Sequence, residues 1–210
     1  MTKTQLSKGV ILLMAAFTLA ACNKTKTSIP LSWRNPGVEQ TVFKKLFVIG
    51  VGENEGARRL FEDTFAKALA GQGTSAQASW GLLPQSARLT EEQIRGAIEG
   101  GDFDGVLVSR MLSVDQEQEY VPGSAHTVPT TYYGYGYYGY YGSSFETVHD
   151  PGYFKTNTTF RVETNLYSVA TSDLVWSGQS DTLNPESLTD IIDSMTGAVA
   201  KKLKEEKLIP

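Results

Sequence analysis

The order of apolar and polar positions along the 210-residue chain divides it into three parts. An apolar leader is followed by a polar link, and then by a region where strand-like and helix-like patterns take turns. In that region Lys44-Lys45-Leu46-Phe47-Val48-Ile49-Gly50-Val51 is a continuous β-rich run, which predicts a buried strand. Over residues 55–71, Leu60, Phe61, Thr64, Phe65, Ala68 and Leu69 recur at helical spacing, and Gly71 and Gly73 stop the helix. A second strand is expected over 74–80. Thr90-Glu91-Glu92-Gln93 is a capping box, opening a helix that ends at Gly100 and Gly101. The run Gly105-Val106-Leu107-Val108-Ser109-Arg110-Met111 predicts a third strand, continuing toward Tyr120. Strand, helix, strand, helix, strand implies an α/β layer with parallel pairing.

Further along, residues 158–169 alternate, with Phe160, Val162, Thr164 and Leu166 on one face. Ala170-Thr171-Ser172-Asp173 is a turn, and 174–180 return as an antiparallel partner. Asn184 and Pro185 are the expected cap and first turn of a last helix. Its apolar face is Leu188, Ile191, Ile192, Met195, Val199 and Leu203, and Lys201, Lys202 and Lys204 lie where the helix dipole favours positive charge. The expected architecture is a single α/β domain over 43–210. It carries three helices on a mixed sheet of about five strands, in the order β-α-β-α-β-insertion-β-β-α.

Two segments break the periodic pattern. Residues 23–40 are polar, contain Pro30 and Pro36, and read as a tether; together with Cys22 and the residues up to 42 they form the expected linking region. Residues 122–151 read as an insertion. It holds Tyr132, Tyr133, Tyr135, Tyr137, Tyr138, Tyr140 and Tyr141, interleaved with glycine. Tyrosine offers a large amphipathic contact area at little entropic cost and glycine lets the backbone adapt, so the tract is the candidate surface for a partner. The alternative is a low-complexity insertion that associates with itself.

Composition narrows the class. The formal net charge is -4, which leaves no basic excess for nucleic acid. A lone cysteine, Cys22, excludes an intrachain disulfide and a cysteine-rich zinc site. It ends a segment in which Lys3 and Lys8 precede a 13-residue apolar stretch, residues 9–21, interrupted by Thr18. That length suits a cleaved signal and is too short to span a bilayer.

The segment Leu19-Ala20-Ala21-Cys22 resembles the lipobox of bacterial lipoproteins. The resemblance implies cleavage between Ala21 and Cys22, a diacylglycerol on the thiol, and an acyl chain such as palmitate on the new α-amine. Asn23, in place of the aspartate that retains such proteins at the inner membrane, implies the outer membrane with the body in the periplasm. The competing reading is an ordinary signal peptide over 1–21 with Cys22 left as a free thiol. Removing residues 1–21 takes away two lysines and no acids, so the charge of the remainder is 17 minus 23, or -6. The strand-helix-strand start, the Leu166-Tyr167 and Leu174-Val175-Trp176 hairpin and the closing helix are similar to periplasmic domains of the TolB N-terminal type. The lipoproteins LpoB and CsgG share this arrangement, and the tyrosine-rich insertion departs from it.

Little in the chain suggests catalysis. Gly50-Val51-Gly52-Glu53-Asn54-Glu55-Gly56 joins a strand to a helix, but the glycine spacing is wrong for a dinucleotide loop, and Glu53 and Glu55 would repel a pyrophosphate. It reads as a β-to-α turn. The two histidines, His126 and His149, with Glu146 and Asp150, are the residues a metal site or an envelope hydrolase would use, though their spacing is irregular. No Gly-x-Ser-x-Gly elbow is present. The expectation is a non-enzymatic, cofactor-free lipoprotein. It would be held to the bilayer through acylated Cys22 and would meet an envelope protein or glycan through the tyrosine tract.

Overall fold

The computed structural model describes residues 26–38, 41–83, 90–129 and 145–210. The chain forms a mixed α/β domain with a projecting arm. Its elements are β1 (Thr27–Arg34), β2 (Lys45–Val51), α1 (Glu55–Ala70), β3 (Ser75–Ala78), α2 (Glu91–Glu99), β4 (Gly105–Val121), β5 (Ser124–Pro129), β6 (Phe145–Asp150), β7 (Tyr153–Ser168), β8 (Leu174–Leu183) and α3 (Leu188–Glu205). The main sheet has the order β1-β8-β7-β4-β2-β3, and β5 and β6 form a separate two-stranded sheet. As the alternation of strand and helix implies, β2 pairs parallel with both β3 and β4. β4, β7, β8 and β1 then pair antiparallel in turn.

The sheet has six strands rather than about five, and the extra one is β1, inside the segment read as a tether. Ile29, Leu31 and Trp33 alternate as a strand requires, but Pro30 interrupts them. Proline lacks a ladder donor and is tolerated only at an edge or a bulge. β1 offers both, since it lies at the sheet edge and its register against β8 shifts between Ser28 and Leu31.

Period-2 alternation sends side chains to opposite faces of the sheet. On one face Leu46, Val48, Leu107, Leu166 and Trp176 pack with Phe65 and Leu69 of α1 and with Met195, Val199 and Leu203 of α3. On the other, Phe47, Ile49, Phe103 and Val106 meet Leu83 and the half-buried Ile94, Ala97 and Ile98 of α2. The thinner second layer leaves α2 with no fully buried residue, so its capping box carries more of its stability. Both bonds of that box are present, from Gln93 N to Thr90 Oγ1 at 3.3 Å and from Thr90 N to Gln93 Oε1 at 2.9 Å. Trp176 is fully buried and lies over Gly178, where a Cβ would come within 2.2 Å of its ring.

Two helix readings need correction. α3 is capped by Ser187, whose hydroxyl accepts from Asp190 N, and not by Asn184. Asn184 takes a positive φ of 46° and instead ties off the sheet, accepting from Thr158 N at 2.7 Å and donating to Asn157 at 2.8 Å. The buried face of α1 is also rotated from the periodic one. Leu60 is 39% exposed, while Arg58 and Glu62 are inside.

β4 and β7 outrun the rest of the sheet. β2 stops at Val51, level with Arg110, and β8 stops at Leu183, level with Thr159. The β4–β7 register continues to Val121 opposite Tyr153, so the last stretch is a two-stranded ribbon. Pro122-Gly123 and Pro151-Gly152 interrupt both strands at one level, and β5 pairs with β6 beyond them. The residues read as an insertion thus supply the outer half of an arm, whose inner half is continuous with the main sheet. A two-stranded ribbon alone is marginal in water. At the root of this one, Arg161 donates from Nε and Nη2 to Asp181, each at 3.1 Å, and from Nη1 to Asp115 at 2.8 Å, clamping β7 to β8 and β4. The hydrogen bonds and charge of Asp181, helped by Asp115, raise the Arg161 pKa above its ordinary range.

Candidate functional sites at one end of the sheet

The path β2-α1-β3 runs to one side of β2, and β3-α2-β4 crosses to the other side. Connections that diverge in this way leave a crevice at the carboxyl ends of the two strands, the usual place for a ligand in an open α/β sheet. Cavities of about 1050 and 250 Å³ open there, both bordered by Gly50, Val51, Gly52 and Arg58. The larger runs from there along the α2 side of the sheet, past Val106 and Tyr167 to Ser172 in the β7–β8 turn, with Ile94 and Ile98 in its wall. The smaller lies between the starts of α1 and α3, lined by Phe61, Met111, Ile191 and Met195.

Arg58 and Glu62 organise this crevice. Glu62 is fully buried. Its Oε1 accepts from Gly50 N at 2.9 Å and Ser79 Oγ at 2.7 Å, and its Oε2 accepts from Trp80 N at 2.8 Å. One carboxylate therefore closes the β2-to-α1 turn onto the short 3-10 turn Ser79–Gly81 that follows β3. Arg58 Nε stands 3.8 Å from Glu62 Oε1, a charge pairing without a hydrogen bond, and its Nε and Nη2 have no hydrogen-bond partner among the described residues. The glycine-rich turn joins β2 to α1, whose first turn is capped by Asn54, accepting from Ala57 N. The buried pair escaped the sequence reading because Arg58 and Glu62, four apart on a helix, look like a surface pair.

The second candidate is the elbow of the arm, where Pro122-Gly123 faces Pro151-Gly152. Tyr120, Tyr153 and Phe154 surround it and are 56%, 59% and 70% exposed. The rings of Tyr120 and Phe154 lie 5.2 Å apart, and a Cβ on Gly152 would strike the Tyr120 hydroxyl at 2.2 Å.

Of the residues singled out from the sequence, Ala21, Cys22 and the tyrosines 132, 133, 135, 137, 138, 140 and 141 lie outside the described residues. His126 is brought within 3.3 Å of Asp150. His149 stands opposite Ala125, and Glu146 opposite Val128. Among the described residues no three histidine, cysteine, aspartate or glutamate side chains gather as a metal site, and no helix is long and apolar enough to cross a membrane.

These features define a mixed α/β domain with an end crevice and an aromatic-elbowed arm. No protein-family model and no curated protein sequence matches the chain. Among solved structures it is similar to the PelC dodecamer of Paraburkholderia phytofirmans, at 14% identity and a TM-score of 0.44, covering 88% of this chain and 99% of that one. It is also similar to lipoprotein GNA1162 of Neisseria meningitidis, at 12% identity and a TM-score of 0.39, covering 77% and 99%.

Proposed function

We propose that this chain is a lipid-anchored periplasmic protein of the outer membrane that works by binding and assembly rather than by catalysis. The observation that carries the reading is the lone cysteine at the end of a basic-then-apolar leader, in Leu19-Ala20-Ala21-Cys22. One acyl chain holds a protein only marginally, so stable anchoring needs the diacylglycerol and the amide-linked chain together. The body, at -6 after removal of the leader, would gain nothing from an anionic surface, which leaves the lipid as the anchor. Tethering of this kind raises the local concentration of the domain near envelope partners. The tyrosine tract is the proposed first contact with a protein or glycan.

Cys22→Ala tests the anchor. The protein is expected to leave the membrane fraction and to lose acyl labelling, and unchanged fractionation with unchanged labelling would refute the assignment. Asn23→Asp tests the sorting, with relocation to the inner membrane expected. For the contact surface, deletion of 131–142 is expected to remove partners from an envelope pull-down. Loss of self-association alone would favour the structural reading of that tract.

A further inference from the structure

The anchor and the arm leave the sheet at the same end. Thr27, the first residue of β1, is level with Thr182 of β8; Thr182 is level with Phe160 of β7, and Phe160 with Val114 of β4. From that level β1 runs back toward the body, while β4 runs outward along the arm to Val121. Only five residue steps separate Cys22 from Thr27, a reach of at most about 18 Å. β1 itself is about 23 Å long, and the stretch from Val114 to the elbow is again about 23 Å.

These lengths restrict how the domain can sit. An arm pointing away from the bilayer would place the whole length of β1 between Thr27 and the membrane, and the link to Cys22 is too short to cross that distance. The arm therefore points toward the bilayer or lies along it. An arm pointing straight at it would carry the elbow, and β5 and β6 beyond the elbow, farther from the level of Thr27 than the link can reach, so the arm lies inclined along the surface with the elbow against the lipid. The residues it brings there are Tyr120, Tyr153 and Phe154, all more than half exposed. Aromatic side chains of this kind, tyrosine above all, favour the zone between headgroups and acyl chains.

We propose that the elbow of the arm rests in the lipid–water interface of the membrane that holds Cys22, with Tyr120, Tyr153 and Phe154 as its contacts. The proposal rests on the lipid-anchor reading. The attraction is aromatic rather than electrostatic, because Asp115, Glu117 and Glu119 outnumber Lys155 and Arg161 along the inner arm. Contact at two points fixes the tilt of the domain, where the lipid alone would leave it free to swivel.

The single native cysteine makes the test direct, since acylation consumes its thiol. Phe154→Cys in the mature lipidated protein carries the one free thiol, for an environment-sensitive fluorophore. Lys67→Cys, on the exposed side of α1 near the opposite end of the sheet, is the control. In phosphatidylcholine vesicles with brominated acyl chains, the label at 154 is expected to shift blue and be quenched, and the label at 67 to stay water-like. Adding Tyr120→Ser and Tyr153→Ser should reduce quenching at 154 while the protein still floats with the vesicles and keeps its thermal melt. Labels equally water-exposed on protein that floats would overturn the docking and leave the anchor standing. Lipid-processed protein that fails to float would overturn both.

Discussion

Replacing Glu62 with glutamine changes one atom of a side chain that joins three parts of the fold. The carboxylate accepts from Gly50 N, Ser79 Oγ and Trp80 N. If the amide keeps its oxygen toward Gly50 and Ser79, its NH2 group meets the Trp80 N–H head-on. Leaving that half-buried donor unsatisfied costs about 1–3 kcal/mol, and turning the two remaining bonds from charged to neutral costs about 1 kcal/mol each. Arg58 also loses the charge beside it, and breaking a buried pair from one side costs about 3–5 kcal/mol as a whole. These terms overlap, so the expected loss for Glu62→Gln is about 3–5 kcal/mol. For a domain of this size, about 2–4 °C per kcal/mol, the melting temperature falls by about 6–20 °C. Urea unfolding of the Cys22→Ala form, followed by circular dichroism, reads the change as a lower midpoint at an unchanged slope. Exposed Glu53→Gln, in the same turn, is the control and should move stability by less than about 0.5 kcal/mol. A Glu62→Gln midpoint within about 1 kcal/mol of the parent would mean that the β2-to-α1 turn does not depend on this carboxylate.

Two further substitutions test other parts of the fold. Gly178→Ala drives a Cβ into the Trp176 ring and should cost about 1–3 kcal/mol in the same unfolding assay; a neutral result would show that the ring has room to move. Arg161→Met removes the clamp at the root of the arm, so amide exchange should quicken over 113–121 and 153–160 while 105–110 keep their protection. Equal acceleration in both stretches would show that arm and body open as one unit.

The strands that were legible in the sequence are those whose burial is written in the local pattern. Leu46 to Ile49 and Gly105 to Val108 are continuous apolar runs buried or half-buried on both faces, and Val162, Thr164 and Leu166 alternate cleanly. β1 was hidden because an edge strand gains little burial: Leu31 and Trp33 are 63% and 48% exposed, and Pro30 looks like a break. The rotation of α1 was hidden for a different reason. Glu62 is inside because strand ends elsewhere supply donors for it, and no periodicity along α1 records where Gly50 and Trp80 will lie. The segment Leu19-Ala20-Ala21-Cys22 was legible as a lipobox-like pattern because such a pattern is short and linear. The elbow was not, since its importance comes from the register linking Thr27, Thr182, Phe160 and Val114, which are far apart in sequence.

That register also gives the domain a polarity. The smaller cavity bordered by Arg58 opens at the carboxyl end of β2, beside Ser109 to Met111 of β4, the same end from which the arm departs. α3 runs the other way, and its last turn meets Arg34 and Gln72, where Arg34 donates to Glu206 O and Lys204 to Gln72 O. One pole therefore holds the crevice and the aromatic elbow, and the opposite pole holds the close of α3. Under the anchoring proposed above, anything entering the crevice would do so through the narrow gap between protein and lipid. Molecules already diffusing on the membrane surface would have the shorter path to it. A tag or domain fused after α3 stands at the far pole, clear of that gap.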